Sequence, residues 1–361
     1  MSVFPAQAAK ILALASLLIG IASAVHAAPN TKDYEVFVSN EKSGDVTVID
    51  GANLKAVATI PVGKRPRGIH SSPDGRSVYV ALSGTPIEGP PQLDAAGNPV
   101  FRKSKGDDDD DDAKADKLAD GIGVIDAVHR KLTGKIQVGS DPEEFALSAD
   151  GSRFYVSNED FKAASVINIV SRKVEHLIVV GQEPEGVAVT PDGRQFYVTC
   201  EAGGDVFVID TASFQTLAHF KVAVRPRSVD FSSRGDVAFI PSESAGVLNV
   251  IDVKDWKTLQ VITLPSGSRP MRVRVAPDGG KVYLSGGRSG TILVLDAHTY
   301  QPLGSIKVGT RPWGIVISPD GKLLFAANGP SNDVSVVDLS MGREIARIKA
   351  GEGPWGLTVR Q

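Results

Sequence analysis

Short apolar runs of four to six residues, each closed by a turn containing glycine or proline, fill the chain from Tyr34 to its end. One stretch shows the pattern. Val187-Ala188-Val189-Thr190 is followed by a Pro191-Asp192-Gly193 turn, then Phe196-Tyr197-Val198-Thr199 and a glycine-rich loop. Val206-Phe207-Val208-Ile209-Asp210 and the segment from Leu217 to Val222 complete it. Runs of this length, rich in β-branched and aromatic residues and bounded by turn formers, predict strands. Proline presets φ and glycine accepts the left-handed conformation, so the turns are as legible as the strands.

The four-strand unit repeats. Val48-Ile49-Asp50 recurs with its last residue at Asp126, Asn168, Asp210, Asp252, Asp296 and Asp338, in steps of 76, 42, 42, 42, 44 and 42. A Gly-x-x-Pro phrase starts at Gly63, Gly139, Gly181, Ala223, Gly267, Gly309 and Gly351, in steps of 76, 42, 42, 44, 42 and 42. Turns of the Pro-Asp-Gly type keep that register at Asp74, Asp150, Asp192, Asp278 and Asp320, with Arg234 in the remaining copy. Four strands per forty-odd residues predict the blade of a β-propeller, and seven copies predict seven blades of an all-β ring. The chain ends on the first strand of a unit, Gly356 to Arg360, and its first unit begins with the second strand, Tyr34 to Ser39. One blade should therefore be closed by both termini, leaving no open sheet edge at the seam.

Composition adds little to that picture and placement adds more. A chain of 361 residues with 42% hydrophobic residues and a net charge of −3 is neither disordered nor a multispanning membrane chain. Lys10, an apolar run from Ile11 to Val25 and small residues Ala27 and Ala28 read as a signal peptide over 1–27, cleaved after Ala27. The expected mature protein, 28–361, is a single periplasmic propeller domain, a monomer without a membrane span. Cys200 is alone, which excludes an intramolecular disulfide, and it stands where small residues recur at a strand end.

The phrases Tyr155-Val156-Ser157-Asn158 and Tyr197-Val198-Thr199, with the Val-Ile-Asp and Pro-Asp-Gly phrases, resemble the YVTN-type propeller repeat. Further phrases are similar to the β-propeller proteins associated with PQQ-dependent alcohol catabolism. They are Arg65-Pro66-Arg67-Gly68, Asp141-Pro142-Glu143, Gln182 to Gly186, Arg225-Pro226-Arg227 and Gly353-Pro354-Trp355-Gly356. That resemblance implies an exported, non-enzymatic binding or scaffold protein beside a quinoprotein dehydrogenase, cytochrome or binding protein of alcohol oxidation. It carries over no catalytic residue and no cofactor.

If the first strand of each blade is innermost, the Gly-x-x-Pro loops ring one mouth of the central channel. Arg65, Arg67, Arg225, Arg227, Arg269, Arg272, Arg311, Trp313 and Trp355 then form the expected site for an anionic ligand or an acidic partner. Arginine forks grip carboxylate or phosphate, and tryptophan offers a stacking face. Asp141, Glu143, Glu183 and Glu185 form an acidic arc beside them. The competing expectation is that the arginines pair with neighbouring acids and serve the rim alone. Further in, His70, Asp230 and Arg274 are expected to line the channel, the last two as an ion pair. A lone histidine offers no metal site, and none is expected.

The catalytic signatures are weak. Gly351-Glu352-Gly353-Pro354-Trp355-Gly356 matches a dinucleotide fingerprint in letters but opens no helix, and no G-x-S-x-G elbow occurs. Three tryptophans are too few for the docking motifs of a quinoprotein dehydrogenase. The alternative to the scaffold reading is a lactonase-like hydrolase acting at the channel mouth. Nucleic-acid binding is disfavoured by the net negative charge. The insertion at 84–120, with its run Asp107 to Asp112, reads as a solvated acidic loop without the spacing of a calcium loop.

Overall fold

The computed structural model describes residues 34–86 and 115–361. The proposed signal segment 1–27 and the aspartate run 107–112 lie outside the described residues.

Seven four-stranded antiparallel sheets are arranged as the blades of a propeller. Blade 1 is the seam. Its inner strand, Pro354–Arg360, comes from the C-terminus and pairs with Glu35–Asn40 from the N-terminus, Phe37 opposite Thr358. Asp45–Asp50 and Lys55–Pro61 complete that blade. Blades 2 to 7 follow in chain order, with inner strands beginning at Ile69, Pro142, Pro184, Asp230, Pro270 and Pro312.

Seven apolar clusters lie between the sheets, one at each blade interface. Phe37, Val46 and Val48 of blade 1 pack on Val78, Val80 and Ile125 of blade 2. On its other face the seam blade packs Val36, Val38 and Ile49 against Phe325, Val334 and Val336 of blade 7. A cluster at the 7–1 interface is what a closed ring requires. It also explains the sequence pattern: a middle strand is covered on both faces, so runs such as Val78-Tyr79-Val80-Ala81 are continuously apolar. Outer strands lose that cover, and Lys173–Val179 of blade 3 is exposed along nearly its whole length.

The repeated aspartates are turn residues. Asp50 Oδ1 accepts the backbone N–H groups of Ala52 and Asn53 at 2.9 and 2.8 Å, and Asp126, Asp210, Asp296 and Asp338 do the same in their blades. This Asx geometry turns the chain from the third strand to the fourth. On the opposite face, in six of the seven blades the residue after the second strand donates its N–H to the carbonyl of the residue before the inner-strand proline. Examples are Glu159 to Asp141 at 3.1 Å and Glu243 to Arg225 at 2.8 Å. In blade 2 Ser83 donates to Lys64, one residue earlier. The two loops that the sequence places at the channel mouth are thereby stapled together.

Candidate functional site

Position by position, the mouth is built in rings. The residues before the prolines are Arg65, Asp141, Glu183, Arg225, Arg269, Arg311 and Gly353, and all seven have positive φ, between 45° and 67°. The staple places beside them the residues that follow the second strands: Glu41, Ser83, Glu159, Glu201, Glu243, Gly287 and Gly329. Four glutamates in this second ring were not among the expected site residues. Their signal was available, because 41, 83, 159, 201, 243, 287 and 329 step by the same intervals as the other landmarks.

This second ring decides what each arginine does. Glu41 of blade 1 holds Arg65 and Arg67 of blade 2, at 3.3 and 2.8 Å. Arg65 also reaches Asp141 at 3.3 Å, and Arg67 is paired with Glu143. Glu201 of blade 4 holds Arg225 at 2.6 Å and pairs with Arg227 of blade 5; Glu243 lies 3.3 Å from Arg225, and Glu185 lies 3.3 Å from Arg227. For these four arginines the rim-pairing expectation holds. Burial works against the charge of Glu41, but Arg67 and Arg65 outweigh it and hold the carboxyl below its ordinary range.

Blades 6 and 7 carry Gly287 and Gly329 at that position, so Arg311 receives no glutamate from its own or the preceding blade, while Arg269 follows Glu243, which acts on it without an ion-pair contact. Arg311 instead lies 5.1 Å over the Trp313 ring, and Arg269 donates to Ser244 Oγ at 3.3 Å. Burial lowers the pKa of both guanidinium groups. Glu243 opposes that shift, while Arg225 and Arg288 reinforce it. With the exposed Arg288, these residues form a cationic sector that lacks a carboxylate contact among the described residues. Guanidinium groups without a carboxylate contact are suited to grip an anion.

Blade 3 is the opposite case. Glu41 and Glu201 each find arginines in the following blade, but the blade after Glu159 presents Glu183 and Glu185. Glu159, Asp141 and Glu143 also bring carboxylate oxygens within 4.8 Å of one another. No ion pair or hydrogen bond reaches the Glu159 carboxyl among the described residues. Burial first, then Asp141 and Glu185, push its pKa up to about 8. Three converging carboxylates could hold a cation. Here Arg65, Arg67 and the Ser83 hydroxyl, 2.5 Å from Asp141, already engage two of them.

Just inside the mouth the inner strands crowd together. Two residues past each proline stand Gly68, Glu144, Gly186, Ser228, Arg272, Gly314 and Gly356. At Gly356 a Cβ would sit 2.6 Å from the carbonyl oxygen of Arg67, so the neighbouring strand leaves room only for glycine. The two long side chains of this ring meet across the bore. Glu144 of blade 3 pairs with Arg272 of blade 6, and its other oxygen lies 2.9 Å from His70 Nε2. Arg272 was expected on the rim; it lies in the bore, with its guanidinium 5.7 Å from the Trp355 ring.

His70 packs edge-on against Phe145 at 4.9 Å, below the Glu144 contact. The expected Asp230–Arg274 ion pair is not formed directly. Asp230 accepts the backbone N–H groups of Phe231 and of Val275, at 3.0 and 2.9 Å, and so pins two neighbouring inner strands. Two backbone donors on a strand pair it can reach satisfy that carboxylate without a guanidinium. Arg274 keeps a contact to the Val273 carbonyl at 3.5 Å, and burial lowers its pKa.

Met271, Trp313, Gly314 and Trp355, with Glu185, Arg227 and Arg272, line a small pocket of about 20 Å³ at the mouth. Trp313 meets Trp355 edge-to-face at 6.0 Å. The described ends of the insertion are tied to the rim, through Lys64 to Asp116 at 2.8 Å and Lys117 to Asp160 at 2.6 Å. Cys200 is fully buried against Gly181, and burial pushes its thiol up to about 12. Native protein should therefore resist an aromatic disulfide reagent that labels it fully after denaturation. Stoichiometric labelling of the folded chain would contradict that burial.

Residues 187–344 match the family model for the lactonase 7-bladed beta-propeller. No curated protein matches the chain. Among solved structures, the chain is similar to a candidate 6-phosphogluconolactonase from Bacteroides fragilis, with a TM-score of 0.70 and 17% identity over 91% of this chain and 98% of that one. A functionally unknown protein from Desulfotomaculum acetoxidans superposes with a TM-score of 0.71 and 12% identity, over 91% and 99%. Hydrazine synthase from Kuenenia stuttgartiensis gives 0.64 and 20%, over 81% and 89%. At such identities the structures speak for the fold alone.

The lactonase match corrects the principal sequence-based expectation. A non-enzymatic accessory of PQQ-dependent alcohol oxidation gives way to the lactonase-like alternative.

Proposed function

We propose that this protein is a lactonase-type propeller enzyme, exported by its first 27 residues, which opens the ring ester of an anionic lactone at the channel mouth. One observation carries the reading: a carboxyl kept protonated near neutrality shares the mouth with arginines that have no carboxylate of their own. Perturbed acids and unsatisfied cations at one channel mouth are candidates for chemistry. The match of residues 187–344 to the lactonase model supports the reaction class.

In this mechanism Arg269 and Arg311 bind the anionic group of the substrate. Water adds to the acyl carbon and the ring C–O bond breaks. The leaving ring oxygen takes its proton from Glu159, which regains one from the attacking water. Burial first, and then the like charge of Asp141 and Glu185, keeps Glu159 protonated at rest against the pull of Arg67.

Purified protein should release acid from anionic lactones in a pH-stat. The Arg269→Ala/Arg311→Ala pair should raise KM by about tenfold or more and leave kcat less changed, as loss of uniform binding does. A chain that opens no anionic lactone in such a panel would remove the proposal.

A further inference from the structure

We infer that the residues following the second strands of blades 5 and 7, Glu243 and Gly329, determine how tightly the channel mouth holds an anionic group. Glu243 is a built-in competitor for the ligand, and Gly329 leaves Arg311 open to it. This rests on the reading that Arg269 and Arg311 bind the anionic group of a substrate, and adds which positions set the strength of that binding.

Glu243 stands at the border between paired and open arginines. Its carboxylate lies 3.3 Å from Arg225 and 3.7 Å from Arg227, both of its own blade. Glu201 holds the same two arginines, so neither depends on Glu243 alone. The next residue, Ser244, accepts from Arg269 of blade 6 at 3.3 Å, which brings an open arginine up to the same loop. Glu243 is accordingly the foremost charge supporting the guanidinium charge of both Arg269 and Arg311. A ligand anion at those arginines meets the field of this carboxylate, and like charges in a partly buried site repel.

Gly329 works in the opposite direction. Its N–H donates to the Arg311 carbonyl at 3.4 Å, the contact that Glu243 makes to Arg225 at 2.8 Å. A glutamate here would therefore stand to Arg311 as Glu243 stands to Arg225. Space does not forbid it. A Cβ at Gly329 would find its nearest atom, the Pro354 carbonyl oxygen, 3.6 Å away, and the backbone there is not left-handed. Gly287, the same position in blade 6, differs: a Cβ there would lie 2.8 Å from Met271 Cγ and 3.0 Å from the Arg269 carbonyl oxygen. Packing accounts for the glycine at 287. At 329 neither packing nor φ does, although glycine carries a conformational-entropy cost that other residues avoid. An uncovered Arg311 is what that glycine provides.

Isothermal titration of the whole protein with inorganic sulfate at low ionic strength tests this without a lactone present. Glu243→Gln removes the charge, keeps the shape, and should bind sulfate about tenfold more tightly than wild type. Gly329→Glu should bind it about tenfold or more weakly, whereas Gly329→Gln, with the same bulk and no charge, should stay close to wild type. Glu201 lies against Arg225 and Arg227 rather than the open arginines, so Glu201→Gln should shift the affinity less than Glu243→Gln does. Equal affinities in wild type, Glu243→Gln and Gly329→Glu would overturn the inference, and so would equal losses in Gly329→Glu and Gly329→Gln. Absence of sulfate binding throughout the series would overturn it as well. The expected sulfate series without any lactone opening would leave the inference standing and remove the lactonase reading. Lactone opening with a flat sulfate series would do the reverse.

Discussion

Glu159→Gln is expected to lower kcat for lactone opening by about 10²–10⁴-fold, the range typical of a lost general acid. Glutamine keeps the shape of a protonated carboxyl but cannot cede a proton. The wild-type rate should be level below about pH 8, where Glu159 holds its proton, and fall about tenfold per unit above it. Stability should also fall as pH rises. The folded-state pKa is raised above the ordinary 4.5, so its contribution is fully present below pH 4.5 and is lost as pH rises through about 8. Above pH 8, Glu159→Gln should therefore melt higher than wild type, by roughly 2–4 °C for each kcal/mol recovered, and the gap should close in acid. A variant slower yet more stable in alkali is the signature of a residue strained for function. An unchanged kcat with the same thermal gain would leave Glu159 a buried acid and no more.

Much of this architecture was legible before any coordinates. Repeat landmarks in one register determined the blade number, and the split unit at the two ends predicted the 7–1 closure that Val36, Val38 and Phe325 now form. Rim positions of Arg65, Arg269 and Arg311 followed from the same spacing. Pairing did not. Whether a rim arginine is neutralised depends on the residue after the second strand, glutamate at 41, 159, 201 and 243 but glycine at 287 and 329. That column obeys the repeat intervals and could have been tabulated. Contact across the bore is different in kind, because no interval relates Glu144 to Arg272. Their meeting depends on the other five residues of that ring being glycine or serine, which leaves the axis empty for two long side chains. The Asp230–Arg274 expectation failed for a related reason: neighbouring positions on adjacent strands put a carboxylate as close to backbone N–H groups as to a guanidinium, and the backbone won.

Glu144→Ala is the substitution expected to destabilise the ring most, by about 3–5 kcal/mol, the usual penalty for removing one partner of a buried ion pair. Glu144 is 2% exposed and joins blades 2, 3 and 6 through His70, its own strand and Arg272. Among the described side chains of its ring, only Glu144 and Arg272 meet across the channel. Burial opposes ionisation of Glu144, but Arg272 and then His70 outweigh that and hold the carboxyl at about 2. A depressed folded-state pKa stabilises above the ordinary 4.5 and loses that contribution as pH falls toward about 2. Wild-type unfolding free energy, measured by denaturant titration, should thus decline steeply from pH 4.5 downward, and Glu144→Ala should decline less steeply, the remainder coming from other depressed carboxylates such as Glu41. The double variant Glu144→Leu/Arg272→Met separates charge from connectivity. Replacing both partners by apolar groups is often neutral, so it should recover to within about 1 kcal/mol of wild type at pH 7 and lose the part of the acid dependence that Glu144 supplies. If the double variant is as unstable as Glu144→Ala, the bore needs the ionic contact itself rather than a filled axis. A Glu144→Ala chain as stable as wild type would mean that seven apolar interfaces hold the ring without any tie across it.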